Sequence, residues 1–323
     1  MAAVSTVVLP LHVKDAVDGL SPTSTLNELP STRELPSDPP PVVDLASPAS
    51  AGDVCRVMAG RRQRFSGEHF LVVLEGGRAF ASGGSSMSDE DGDVFIAHLG
   101  LGDDWSSRPI PAATEVLFPA EKQCIEVACG SLHSVYLLHD GSVWSCGAGW
   151  DGAHGHGGER PVSVPRQIAD LAHVAITRIA AGSSHSLALD ASGRCFSWGW
   201  GRFGQLGHGD ERPQTTPRLI DALASVRVAQ LAAGRAHSLA LSHAGGVFSW
   251  GQQSAGATGH SCSGADAPNL TVPQVVAALD GVRARAIYAA KDISAAATGD
   301  ALYRWGRLHH QGPIEASPFC GSK

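Results

Sequence analysis

Short apolar runs closed by glycine recur along most of this chain. In the stretch from Ile176 to Gly209, the segments Ile176–Ala181, His185–Leu189 and Cys195–Trp198 are such runs, and Gly182, Gly193 and Gly199 punctuate them. The runs are too short for helices and glycine admits a positive φ, so the pattern predicts three β-strands joined by tight turns. A shift of 52 residues in either direction finds the stretch again. Gly182 falls on Gly130 and Gly234, His185 on His133 and His237, Phe196 on Trp144 and Phe248, and Trp198 on Cys146 and Trp250. The closing turn Gly199, Gly204, Gly207, His208 recurs as Gly147, Gly152, Gly155, His156 and as Gly251, Gly256, Gly259, His260.

Between these units stand Pro165 to Ile168, Pro217 to Ile220 and Pro273 to Val276. Proline cannot donate to a ladder and suits the first residue of a strand, so each segment reads as the opening strand of a four-stranded unit. Five units then open near Pro41, Pro111, Pro165, Pro217 and Pro273. The first keeps His69 but has Ser82 at the tryptophan position, and a long insertion at about 85–111 replaces its closing turn. The fifth ends at Tyr303-Arg304-Trp305-Gly306 and has lost the histidine and the glycine-rich turn. Residues 1–40 are rich in Pro, Ser and Thr and poor in aromatics, which marks an extended tail ahead of a repeat domain at 41–323.

The segment HSLALDASGRCFSWGWGRFGQLGHGDERPQTTP resembles the repeat of the regulator of chromosome condensation family. The resemblance implies an all-β protein, a β-propeller, here with about five recognisable blades where the family usually has seven. It also implies, as one of two functional readings, a guanine-nucleotide exchange factor for a small GTPase. Either the ring closes with five blades or a partner or the tail fills the gap, and closure is the favoured answer because open sheet edges invite aggregation.

Formal charge is −7, from 24 basic and 31 acidic side chains, so no basic surplus exists for a phosphate backbone and nucleic acid is not an expected partner. The seven cysteines contain no CxxC pair, which points to neither a disulfide framework nor a zinc knuckle. No apolar run is long enough for a membrane span and no secretory leader is expected. The reading is a cytoplasmic protein, within a cytoskeletal or organellar assembly or in the nucleus.

No catalytic or cofactor motif is present: Gly199-x-Gly201-x-x-Gly204 opens no helix, and Asp89-Glu90-Asp91-Gly92-Asp93 lacks the distal glutamate of a calcium loop. His133, His185 and His237 are related by rotation about the ring, so each is expected to bond a backbone group beside its turn and to hold no metal. Gly130, Gly182 and Gly234 are expected at positive φ, and Trp198, Trp250 and Trp305 as wedges between blades. Trp150, Trp200 and Phe203 lie past the strand in the turn, where they either anchor a protein partner or cover the next blade's edge. Phe95 and Trp105 in the insertion carry the same two readings. The leading function is therefore a non-enzymatic protein-interaction scaffold, a subunit of a larger complex.

Overall fold

The computed structural model describes residues 19–20, 42–43, 45–46, 54–61, 68–74, 76–83, 99–102, 110–119, 122–260, 267–308 and 310–318. Within them the chain is all-β and folds into five antiparallel blade sheets. Blade one comprises β1 (Val54–Arg61), β2 (Glu68–Leu74), β3 (Ala79–Gly83) and β4 (Ile110–Val116). Blade two is β5 (Cys124–Cys129), β6 (His133–Leu138), β7 (Val143–Gly147) and β8 (Val162–Gln167). Blade three is β9 (Ile176–Ala181), β10 (His185–Asp190), β11 (Cys195–Gly199) and β12 (Gln214–Leu219). Blade four is β13 (Val228–Ala233), β14 (His237–Ser242), β15 (Val247–Gly251) and β16 (Leu270–Val275). Blade five is β17 (Ala286–Ala290), β18 (Ile293–Ala297), β19 (Ala301–Leu308) and β20 (His310–Pro318).

The proline segments do not open the units. Pro165 lies in β8, which pairs with β7 as the fourth strand of the preceding sheet, and the same holds for Pro217 in β12 and Pro273 in β16. An outer strand suits proline because one of its edges needs no amide donor. Val42–Val43 likewise pairs outside β4, at Thr114 and Ala113, as a fifth strand of the first sheet rather than its opening. The aliphatic residue of each motif has its own duty. Ile168, Ile220 and Val276 are buried at the head of single 3-10 turns, whose Leu171, Leu223 and Leu279 are buried beside them.

A bulge separates the third and fourth strands of every blade at the residue before a glycine, as between Ser197 and Gly199. Gly199 takes φ +101 there, and a β-carbon would stand 2.6 Å from the Ser184 carbonyl oxygen, so position and conformation both demand glycine.

The core is divided among the junctions. One cluster joins Leu71 and Val73 to Val127 and Tyr136, a second joins Val135 and Leu137 to Ile179 and Trp198. A third joins Leu187 and Leu189 to Leu231 and Trp250, and a fourth joins Leu239 and Leu241 to Ile287 and Trp305. These four clusters link five blades in a row, and among the described residues none of them joins the fifth blade to the first.

Candidate functional site

Each junction from the second blade onward carries the same polar clamp. His133 Nε2 lies 2.9 Å from Ser186 Oγ of the next blade, and Ser186 Oγ donates to the Ala153 carbonyl oxygen at 3.1 Å. Trp198 Nε1 donates to that same oxygen at 3.0 Å. The set repeats as His185, Ser238, Gln205 and Trp250, and again as His237, Ser294, Ala257 and Trp305. Because the serine proton is directed at the carbonyl, its oxygen accepts from the imidazole, which fixes each histidine as the neutral Nε2–H tautomer. Trp198 and Trp250 are fully buried and Trp305 nearly so.

Two expectations need correction. The histidines do not bond a backbone group beside their own turn; they bond a side-chain hydroxyl one blade away. Gly130, Gly182 and Gly234 are not in the left-handed region. They are required by space. A β-carbon on Gly130 would stand 2.1 Å from His133 Cε1, and one on Gly182 2.1 Å from His185 Cε1 and 2.4 Å from the Gly234 carbonyl oxygen. The imidazole lies flat on the glycine backbone, with Nδ1 of His133 and of His185 buried without a partner. Burial therefore holds His133 and His185 down at about 3 and His237 at about 4. His156, His208 and His260 are used within their own blades, their Nε2 atoms lying 2.9–3.0 Å from Ser145, Ser197 and Ser249 Oγ. Among the described residues no three histidine, cysteine or acidic side chains are grouped to hold a metal.

The first blade's closing turn is also present, which the sequence reading missed. Leu99-Gly100-Leu101-Gly102 occupies the place of His154-Gly155-His156-Gly157, with Gly100 at φ +72 and Gly155 at φ +81. Gly102 N donates to Ser163 O at 2.9 Å, as Gly157 N does to Thr215 O and Gly209 N to Thr271 O. Leu99 is fully buried in the first junction, with Leu101 packed against it. These turns therefore reach across to the outer strand of the next blade. The signal was the glycine spacing, hidden because the insertion precedes the turn instead of replacing it.

The rim built from these turns is the candidate interface. Trp150 begins a 3-10 turn, Trp150–Gly152, and is 45% exposed. Asp151 beside it has φ +57, and burial together with the charge of Glu159 raises its carboxyl above the usual range, against the opposing charge of Arg202. Trp200 and Phe203 are half-buried and pack on each other edge to face, 5.0 Å between centroids. Phe95 and Trp105 lie outside the described residues, as do Asp89 to Asp93 and nearly all of residues 1–40.

Cys124, Cys129, Cys146 and Cys195 are buried and form no disulfide with one another; burial pushes the thiols of Cys146 and Cys195 up to about 12, so they stay protonated. Among the described residues no helix is long and apolar enough to cross a membrane.

The family model described as Regulator of chromosome condensation (RCC1) repeat matches residues 140–189 and 192–241, and a second model of that description matches 176–205. The chain is 39% identical to the Ultraviolet-B receptor UVR8 of Arabidopsis thaliana over 197 residues, 60% of this chain and 44% of the receptor. It is 34% identical to human E3 ubiquitin-protein ligase HERC2 over 261 residues, 80% of this chain and 5% of the ligase. It thus spans less than half the length of these curated relatives. Human WBSCR16 superposes with a TM-score of 0.68 at 26% identity, covering 83% of this chain and 68% of that one. Yeast RCC1 (Prp20), solved bound to Kap60, gives 0.61 at 23% identity, covering 74% and 54%. With the repeat, the blade order and the bulged third strand, these matches show that the chain is built from regulator of chromosome condensation repeats.

Proposed function

We propose that this chain is a non-enzymatic scaffold that binds a protein partner through the rim of closing turns and serves as a subunit of a larger complex. The observation that carries the reading is the exposed indole of Trp150, in a repeat whose clamp histidines and serines and whose Trp198, Trp250 and Trp305 are committed to holding blades together. Large aromatics left accessible beside fixed turns are typical anchors of protein interfaces. Partner contact extends, in this proposal, to the tail at 1–40 and to the insertion with Phe95 and Trp105.

The test is cross-linked co-purification from the source cell with Trp150→Ala and with residues 85–97 replaced by a Gly-Ser linker, which spares the buried turn at 99–102. Loss of one stoichiometric partner at an unchanged melting temperature supports the reading. Retention of every partner in both variants refutes it. A second reading, guanine-nucleotide exchange on a small GTPase, is implied by the family resemblance, and it demands faster nucleotide release from some GTPase when the full chain is added.

A further inference from the structure

The opposite rim, built from the turns between second and third strands and from the links between blades, carries a cleft of about 830 Å³ between blades four and five. It is lined by the apolar Leu241, Val282 and Ala284, by His243 and by the charged Arg283, Arg285 and Asp300. The two preceding turns each hold an aspartate, Asp140 in blade two and, two positions earlier in the register, Asp190 in blade three. Asp140 receives Ser142 N and Oγ and pairs with Lys122, and Asp190 receives Ser192 and Arg194. In blade four these two positions are Ala244 and Ser242, and the Ser242 hydroxyl exchanges bonds with Gly246 N and O at 3.0 and 3.2 Å. The turn is preserved while its fixed negative charge is gone.

The arginines stay. Arg283 Nε donates to the neutral Ala244 carbonyl at 3.2 Å, and the Arg285 guanidinium lies along the Gly299 backbone. Both are exposed, and among the described residues neither is paired with a carboxylate. Asp300, on the far lip, is held by Thr298 Oγ1 at 2.7 Å. We propose that this cleft binds an acidic linear segment of a protein partner, its carboxylates on Arg283 and Arg285 and a small apolar side chain on the apolar lining. Guanidinium and carboxylate match as forks, and an unpaired cationic pair beside an apolar lining selects a peptide that brings both features.

The inference rests on the scaffold reading only in taking a protein as the partner, and it concerns the rim opposite Trp150. The test is fluorescence anisotropy of the full chain with a labelled Asp/Glu/Leu peptide and with its Asn/Gln/Leu counterpart. Binding of the acidic peptide alone, weakened by salt and by at least about tenfold in Arg283→Glu/Arg285→Glu, supports the proposal. Arg283→Gln/Arg285→Gln should give an intermediate loss, with melting curves like the parent because both side chains are exposed. The proposal is overturned if the acidic peptide binds no better than its neutral counterpart, or if charge reversal leaves affinity intact. It is overturned too if an oligonucleotide of equal charge binds as tightly, which would make the cleft a general polyanion surface. Trp150→Ala should leave the peptide affinity unchanged, so failure here and failure of the scaffold reading are told apart.

Discussion

Acidification should unfold this protein between about pH 6.5 and 4.5, and the clamp histidines set the size of the effect. Each of His133, His185 and His237 is buried, donates from Nε2 to a serine already committed to a carbonyl, and has no solvent path for a second proton. The groups facing them are His69 and His154 for His133, His237 and His133 for His185, and Asp292 and Arg235 for His237. Folded values of about 3, about 3 and about 4 stand below an unfolded value of about 6.5. The unfolded chain therefore binds more protons as pH falls, so the stability is whole above about pH 7 and is lost on the way down. At pH 5 each histidine has given up about 2 kcal/mol, on the order of 6 kcal/mol for the three, at a slope of about 4 kcal/mol per pH unit. His156, held at about 4, adds to the same slope, whereas Asp140, held at about 2, contributes only below the carboxylate range. Against a typical stability of about 5–15 kcal/mol that loss decides whether the fold survives. Urea unfolding followed by tryptophan fluorescence at half-unit steps from pH 7.5 to 4.5 measures it. A midpoint that stays constant from pH 7.5 to 5 would refute the reasoning, as would His185→Gln with the parent's slope, since that variant should lose about 1.4 kcal/mol per pH unit of it.

Gly182→Ala should lower the melting temperature by several degrees, because its β-carbon meets His185 Cε1 and the Gly234 carbonyl at 2.1 and 2.4 Å; a parent-like calorimetric scan would disprove the close approach. Ser186→Ala removes the acceptor of His133 Nε2 and one donor to Ala153 O, and a loss of about 2 kcal/mol in urea unfolding is expected. Tyr136→Ala should cost about 3–5 kcal/mol, and adding Cys146→Trp should recover much of it by restoring the Ala188 and Trp198 pair found one blade on; a double variant no better than the single one rejects that equivalence.

How far the chain could be read follows from what a repeat preserves. The 52-residue spacing set strand number and sheet direction in the middle blades because Gly182, His185 and Trp198 each have a counterpart 52 residues on, at Gly234, His237 and Trp250. The clamp's other half was out of reach, since Ser186 and the Ala153 carbonyl are ordinary residues until two blades are placed together. Strand boundaries failed at proline for a similar reason: an outer strand and a first strand both tolerate a missing amide, and only pairing distinguishes them. At the ends of the array the signal thins because the packing changes. Val135 and Leu137, Leu187 and Leu189, and Leu239 and Leu241 face the following blade, whereas blade five has Ala295 and Ala297 at those positions in the register.

Blade two shows how the volume of a slot can be kept while its letters change. Cys146 stands where Trp198 and Trp250 stand in the next two blades, which by alignment alone leaves the wedge missing. Across the strand pair, however, Tyr136 occupies the position of Ala188 and Ala240, and its hydroxyl reaches Cys146 Sγ at 3.8 Å. A large ring has moved from one strand to its neighbour, and Phe118 packs edge to face on it at 5.2 Å between centroids. Junctions in this fold thus select the sum of facing side chains and not the identity at one column. The polar clamp is different in kind, because a histidine replaced by another residue leaves Ser186 without its donor and Gly130 without the ring that covers it. Apolar positions along the array are accordingly free to trade volume in pairs, while His133, Ser186 and Gly130 are tied to one another across the blade boundary.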